Sequence, residues 1–228
     1  MTLRSLSRRA RLVLVALLGV LPVLAACGPS VVAGNPTDYS LNTHEAQRLR
    51  WNPCTTVHWR ADLRNAPANT LPLVQGAVAT LSAKTGIRFV YDGPASYIPQ
   101  RGGFAQQPSS LIVSFGRAPG RPSASNYLSG GTMVGYGGYL ATGAYKGGRV
   151  VYAITKGFVV IDANRFPGLS TRTRNALLQH ELGHAVGLNH AKYSSELMYP
   201  VVGNASPSSY AAGDLTGLRL LGRPAGCL

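Results

Sequence analysis

Acidic residues are scarce in this chain: eight aspartates and glutamates stand against 22 lysines and arginines, a formal charge of +14 over 228 residues. So few acids leave no evident ligand cluster for a structural calcium or a second zinc ion. The basic residues are scattered instead of gathered into a stripe, and the N-terminus marks the chain for export, so no nucleic-acid partner is expected. The charge describes a solvated basic surface that anionic lipids or acidic wall polymers would hold close. Long apolar runs are also missing. The longest, LVLVALLGVLPVLAAC, follows Arg4, Arg8, Arg9 and Arg11 with no acid among them. It is too short and wrongly flanked for a membrane span and reads as a signal peptide over residues 1–26. Its removal takes the charge from +14 to about +10.

Cysteine is nearly absent, with only Cys27, Cys54 and Cys227. LAAC at 24–27 resembles the bacterial lipobox, which implies cleavage before Cys27 and a lipid on it. The expected location is therefore the outer face of a bacterial cell membrane, with the membrane as a partner through that lipid. SRRAR carries the paired arginines of twin-arginine export, but Arg11 stands where an apolar residue is usual, so the export route stays open. With Cys27 lipidated, Cys54 and Cys227 are an even pair in an exported domain and are expected to form a disulfide. Residues 27–50 are polar, contain Gly, Pro and Ser, and lack periodicity, which suggests a tether. Residues 51–228 are expected to be one catalytic domain, monomeric, with enough chain for a core.

Of five histidines, three fall in HELGHAVGLNH at 180–190. On a helix, His180 and His184 are four apart and aim two imidazoles at one point. Glu181 is displaced by about 100° and reaches beside that point, placed as a base and not as a ligand. A continuing helix would carry His190 about 9 Å farther along the axis. Gly187 removes the difficulty, because glycine accepts the left-handed conformation that ends helices. Three neutral nitrogens then converge with one position open, the arrangement of a single catalytic Zn2+. Zinc lowers the pKa of a water and polarises a carbonyl, and Glu181 would take the proton and pass it to a leaving amine. That chemistry hydrolyses peptide bonds. His44 and His58 are expected to lie apart from the metal.

The H-E-x-x-H-x-x-G-x-x-H pattern resembles the metzincin metallopeptidases, whose signature adds a methionine-containing turn. SSELMYP at 194–200 supplies that turn with Met198, and its M-Y-P order looks most like the matrixins, with Glu196 in place of their usual alanine. The resemblance implies that Met198 is an apolar floor beneath the metal and that residues 200–202 begin a wall of the primed-side specificity pocket. Tyr199 directly follows the methionine, so it does not match the tyrosine ligand of astacin-like members. Animal matrixins silence themselves with a propeptide cysteine, but NPC at 52–54 lacks the P-R-C-G-x-P pattern of that switch. RWNPCTTVHWRAD and GIRFVYDG look like the first two strands of small bacterial matrixin-like peptidases.

Apolar spacing supports that architecture. A strand is expected through Val57 and Trp59. A helix follows over TLPLVQGAVATLSAKTG, with Pro72 near its start and Gly86 at its stop. Further strands are expected in IRFVYDG, SLIVSFG and GFVVIDANR. The histidine-bearing helix begins at Ser170 as N-cap, and a last helix in AAGDLTGLRLLG ends at Gly222. The fold class is α+β and metzincin-like: a twisted mixed sheet with three main helices, the zinc-binding helix followed by a Met-turn. Residues 126–148, rich in glycine and tyrosine, suit either a strip of chain near substrate or a surface loop. The functional expectation is a zinc-dependent endopeptidase acting on a peptide or protein. The alternatives are a hydrolase of cell-wall peptides or other amides, and a non-catalytic peptide-binding surface lipoprotein. Glu181 favours the enzyme, since binding alone would not require it.

Overall fold

The structure is a computed structural model and describes residues 33–118, 126–128 and 133–228. The signal peptide at 1–26 and Cys27 lie outside the described residues. Three short strands, β1 (Ser40–Leu41), β2 (Thr43–His44) and β3 (Gln47–Arg48), occupy chain expected to be tether. β2 and β3 pair with each other. Asn42 N–H donates to Gly187 O at 3.0 Å, and Asp38, Leu49 and Arg50 are buried. Residues 33–50 therefore belong to the unit that runs to the C-terminus, and the expected boundary at residue 50 is corrected. Polar composition misled here because the segment is fastened by single carboxylate and carbonyl contacts, which leave no periodicity to read.

Strand β4 (Val57–Asp62) alternates buried and accessible residues over its first four positions, as a strand with one covered face does. Helix α1 (Leu71–Thr85) follows, with Pro72 in its first turn, and it ends at Gly86 with φ +70°, the left-handed conformation glycine adopts without a Cβ clash. Its Val74, Ala77, Val78 and Leu81 are buried on one face. β5 (Phe89–Pro94) and β6 (Leu111–Gly116) come next; all six residues of β6 are buried, matching an apolar run covered on both sides. β7 (Gly135–Lys146) and β8 (Arg149–Asp162) form a long antiparallel hairpin. The sheet order is β5-β4-β6-β8-β7, with β7 the only antiparallel member and one of the two edges. Gly/Tyr-rich chain from 135 to 146 is thus strand, not loop.

Helix α2 (Thr171–Ala185) and α1 share one core with the sheet, built on Val113, Phe115, Val159 and Ile161 from the strands and on Leu178 and Leu182 from α2. The opposite face carries a smaller cluster of Ile112, Tyr127, Leu128, Phe158 and Val160. After α2 comes β9 (Leu188–Asn189), which pairs with β1, and then α3 (Ala212–Leu221). Gly222 ends α3 as expected, but its φ is −94°, not left-handed. Glycine is needed there for another reason: a Cβ would come within 2.1 Å of Thr85 O. Among the described residues no helix is long and apolar enough to cross a membrane.

Cys54 and Cys227 are bonded, 173 positions apart, so the chain entering β4 is tied to the last residues. Closing a loop that long stabilises the fold by about 5 kcal/mol on the chain-entropy model. Arg50 reinforces the tie by donating to Gly226 O at 2.8 Å. The bond leaves Cys54 no thiol with which to act as a switch. The other two histidines are engaged elsewhere, His44 edge-on against Tyr152 at 4.4 Å and His58 with Asp92 at 2.9 Å.

Candidate functional site

Ser170 caps α2 through its side chain, which accepts from Thr173 N–H at 3.1 Å. The helix then runs without interruption to Ala185, and ten of its residues are buried, among them His180 and Glu181. Its last turn is held by Trp51, whose indole N–H donates to Ala185 O at 3.0 Å and satisfies one of the carbonyls a helix end leaves free. Gly187, at φ +109°, turns the chain back; a Cβ there would lie 2.3 Å from Leu49 O. The turn brings His190 to the other two histidines.

The Nε2 atoms of His180 and His184 are 3.1 Å apart, and so are those of His184 and His190. Two ligands held at zinc's usual distance and tetrahedral angle would be about 3.3 Å apart. Tautomers sharpen the fit. His180 Nδ1 meets Leu197 O at 2.8 Å and His184 Nδ1 meets Leu188 O at 3.0 Å. A carbonyl only accepts, so both Nδ1 atoms carry the proton and both Nε2 atoms present bare lone pairs. Burial drives the His180 pKa down to about 3 and that of His184 to about 4, and it lowers His190 as well. Lone pairs aimed at one another in a buried site repel unless a cation lies between them. These three histidines are the one group among the described residues able to hold a metal ion, and an imidazole set of this geometry suits zinc.

Glu181 lies beside them, only 6% exposed. Burial raises its pKa to about 8, opposed by a hydrogen bond from Gly137 N–H. A cation among the histidines would favour the ionised form. The edge strand β7 reaches the helix because it offers glycines: a Cβ on Gly135 would stand 2.7 Å from Glu181 Oε1, and one on Gly137 would stand 2.0 Å from Glu181 O. Composition pointed to this stretch, but not to which glycines matter. The cleft between β7 and α2 measures about 550 Å³ and is walled by Val134, Leu177, Val201 and Val202.

Met198 is buried against α2, where a Cβ on Gly183 would come within 2.5 Å of its Sδ. The chain around it is pinned by three buried carboxylates. Asp214, at the start of α3, accepts from Leu197 N–H at 2.7 Å, Met198 N–H at 3.2 Å and Ala211 N–H at 2.9 Å; burial holds its pKa up at about 6 despite these donors. Glu196 accepts from Gly213 N–H at 2.9 Å and Asn35 N–H at 2.6 Å. Asp38 accepts from Lys192 N–H at 2.9 Å and Tyr193 N–H at 2.8 Å. Sequence reasoning missed all three, treating Glu196 as a replaced alanine and Asp38 as tether. Their scarcity was the usable signal, since in a chain with eight acids each buried one has a purpose.

Residues 135–221 match the matrixin family model. The matched stretch begins with the first residue of β7 and ends with the last of α3, so it takes in the edge strand, the histidines and Met198. The match supports a matrixin-like metallopeptidase, and the matrixin family is zinc-dependent. No curated protein matches the chain.

The clamp by Asp38 generates a prediction. Asp38→Ala leaves two backbone N–H groups without their acceptor, and urea denaturation should show a loss of about 2–4 kcal/mol. A change within about 0.5 kcal/mol, the range of neutral surface substitutions, would mean that residues 33–38 do not hold the 190–199 chain.

Proposed function

We propose that the chain is a zinc-dependent endopeptidase, with His180, His184 and His190 as ligands of one ion and Glu181 as general base. The observation that carries this reading is the meeting of three imidazole nitrogens, two of them left bare by their Nδ1 hydrogen bonds, beside a buried carboxylate in an open cleft. Bound zinc would supply Lewis acidity, polarising the scissile carbonyl and lowering the pKa of the attacking water. Glu181 stands next to that point without being a ligand, so it can take the water's proton and deliver it to the departing amine. Met198 is the apolar floor of the site in a Met-turn, and Gly183 allows its close approach. The free edge of β7 is suited to holding an extended peptide by backbone pairing. Val201 and Val202 wall the primed-side pocket.

For location, the reading rests on sequence: LAAC with a lipid on Cys27, and the chain held on the outer face of a bacterial membrane as a monomer. A peptide or protein outside the cell is then the substrate.

Two results follow. Glu181→Ala should abolish peptide hydrolysis while metal analysis still finds about one zinc per chain, because the carboxylate moves protons and binds no metal. His184→Ala should lose both. Residual turnover above a few per cent of wild type in Glu181→Ala would sink the assignment. Mass spectrometry of the mature protein should find diacylglycerol on Cys27; an unmodified N-terminus at or after that residue refutes the anchor.

A further inference from the structure

The groove beside β7 does not end at the histidines. Past them it opens into a second cavity of about 440 Å³ that shares Tyr136, Gly137 and His184 with the first and continues along the strand to Tyr139. A peptide added to the edge of β7 would run through both, its side chains pointing alternately to the two faces of the sheet. On the α2 face they would meet His184 and Asn42. On the other they would meet a tray of rings, with Tyr127 stacked on Tyr136 at 4.9 Å and tilted against Phe158 at 4.4 Å.

Arg101 lies on that tray. Its guanidinium carbon is 5.0 Å from the centroid of Tyr127 and 5.7 Å from that of Tyr136. Among the described residues it forms no ion pair; the four that exist involve His44, His58, Arg64 and Arg165. A guanidinium set over ring faces can turn its N–H donors toward the rim, the arrangement that receives a carboxylate with two parallel bonds. A cationic side chain would be repelled there, and an apolar one would cover the donors without replacing their hydrogen bonds to water. The surplus of basic residues over the whole chain adds a field of the same sign.

We infer that Arg101 receives an acidic side chain of the bound peptide, on the side of the cut bond away from Val201 and Val202. This rests on the peptidase reading and adds a substrate class to it: extended peptides with aspartate or glutamate N-terminal to the cleaved bond.

The test begins with a peptide library digested by the whole zinc-loaded protein, scoring residues on both sides of each cut. Acidic residues should be enriched on the N-terminal side. On the best sequence, kcat/KM for a Glu peptide over its Gln counterpart should be about fivefold, the range of a partly exposed charge pair. Arg101→Gln should bring that ratio to about one, and Arg101→Glu should invert the preference toward Lys. Arg88→Gln, which lines neither cavity, should keep it. Absence of acid enrichment, or a Glu/Gln ratio that survives Arg101→Gln, overturns the inference. If no peptide is cut, the peptidase reading fails, and fluorescence anisotropy of labelled Glu and Gln peptides on the same protein still decides the subsite. Tighter Glu binding that is lost in Arg101→Gln supports it; equal affinities refute it.

Discussion

Repulsion between unshared electron pairs is the constraint on which this structure turns. Two carbonyls, Leu197 O and Leu188 O, take the Nδ1 protons of His180 and His184 and force the Nε2 lone pairs into a common point. Burial keeps both of these histidines neutral at neutral pH, so neither relieves the repulsion by taking up a proton. A centre that is unfavourable by itself and would become favourable around a divalent cation has the physical character of a metal site. Much of the surrounding architecture serves to hold the two carbonyls and His190 where they are.

That service is distributed. Leu188 is positioned by the turn at Gly187 and by its pairing with Leu41. Leu197 is positioned by Asp214, whose carboxylate also begins α3, and the adjoining Glu196 reaches back to Asn35. The N-terminal segment from 33 to 50 therefore acts as a strap across the base of the centre. The disulfide between Cys54 and Cys227 fastens its end to the C-terminus. On the other side of the cleft, Gly135 and Gly137 let an edge strand approach α2 to within backbone contact. Floor, strap and rim converge on one helix.

The parts legible in the sequence were those written at short range. Ser170, Gly86 and the offsets within HELGHAVGLNH state a cap, a stop and a ligand set within one or a few turns of helix, and the structure uses Ser170 and Gly86 as cap and stop. Apolar periodicity located α1, α3 and the central strands. What escaped were contacts spanning well over a hundred positions: Asp38 with Lys192, and Asn35 with Glu196. A single carboxylate accepting two N–H groups has no period and looks like any polar residue in a linker. Gly222 shows a subtler limit: a glycine at a helix end suggests a left-handed cap, whereas here the close approach of Thr85 O is what requires it.

Zinc-edge X-ray absorption on the protein loaded with one equivalent of zinc tests the central claim most directly. The account predicts three imidazole nitrogens and one further light atom at about 2.0–2.1 Å. A sulfur scatterer at about 2.3 Å, or a spectrum without imidazole, would contradict it.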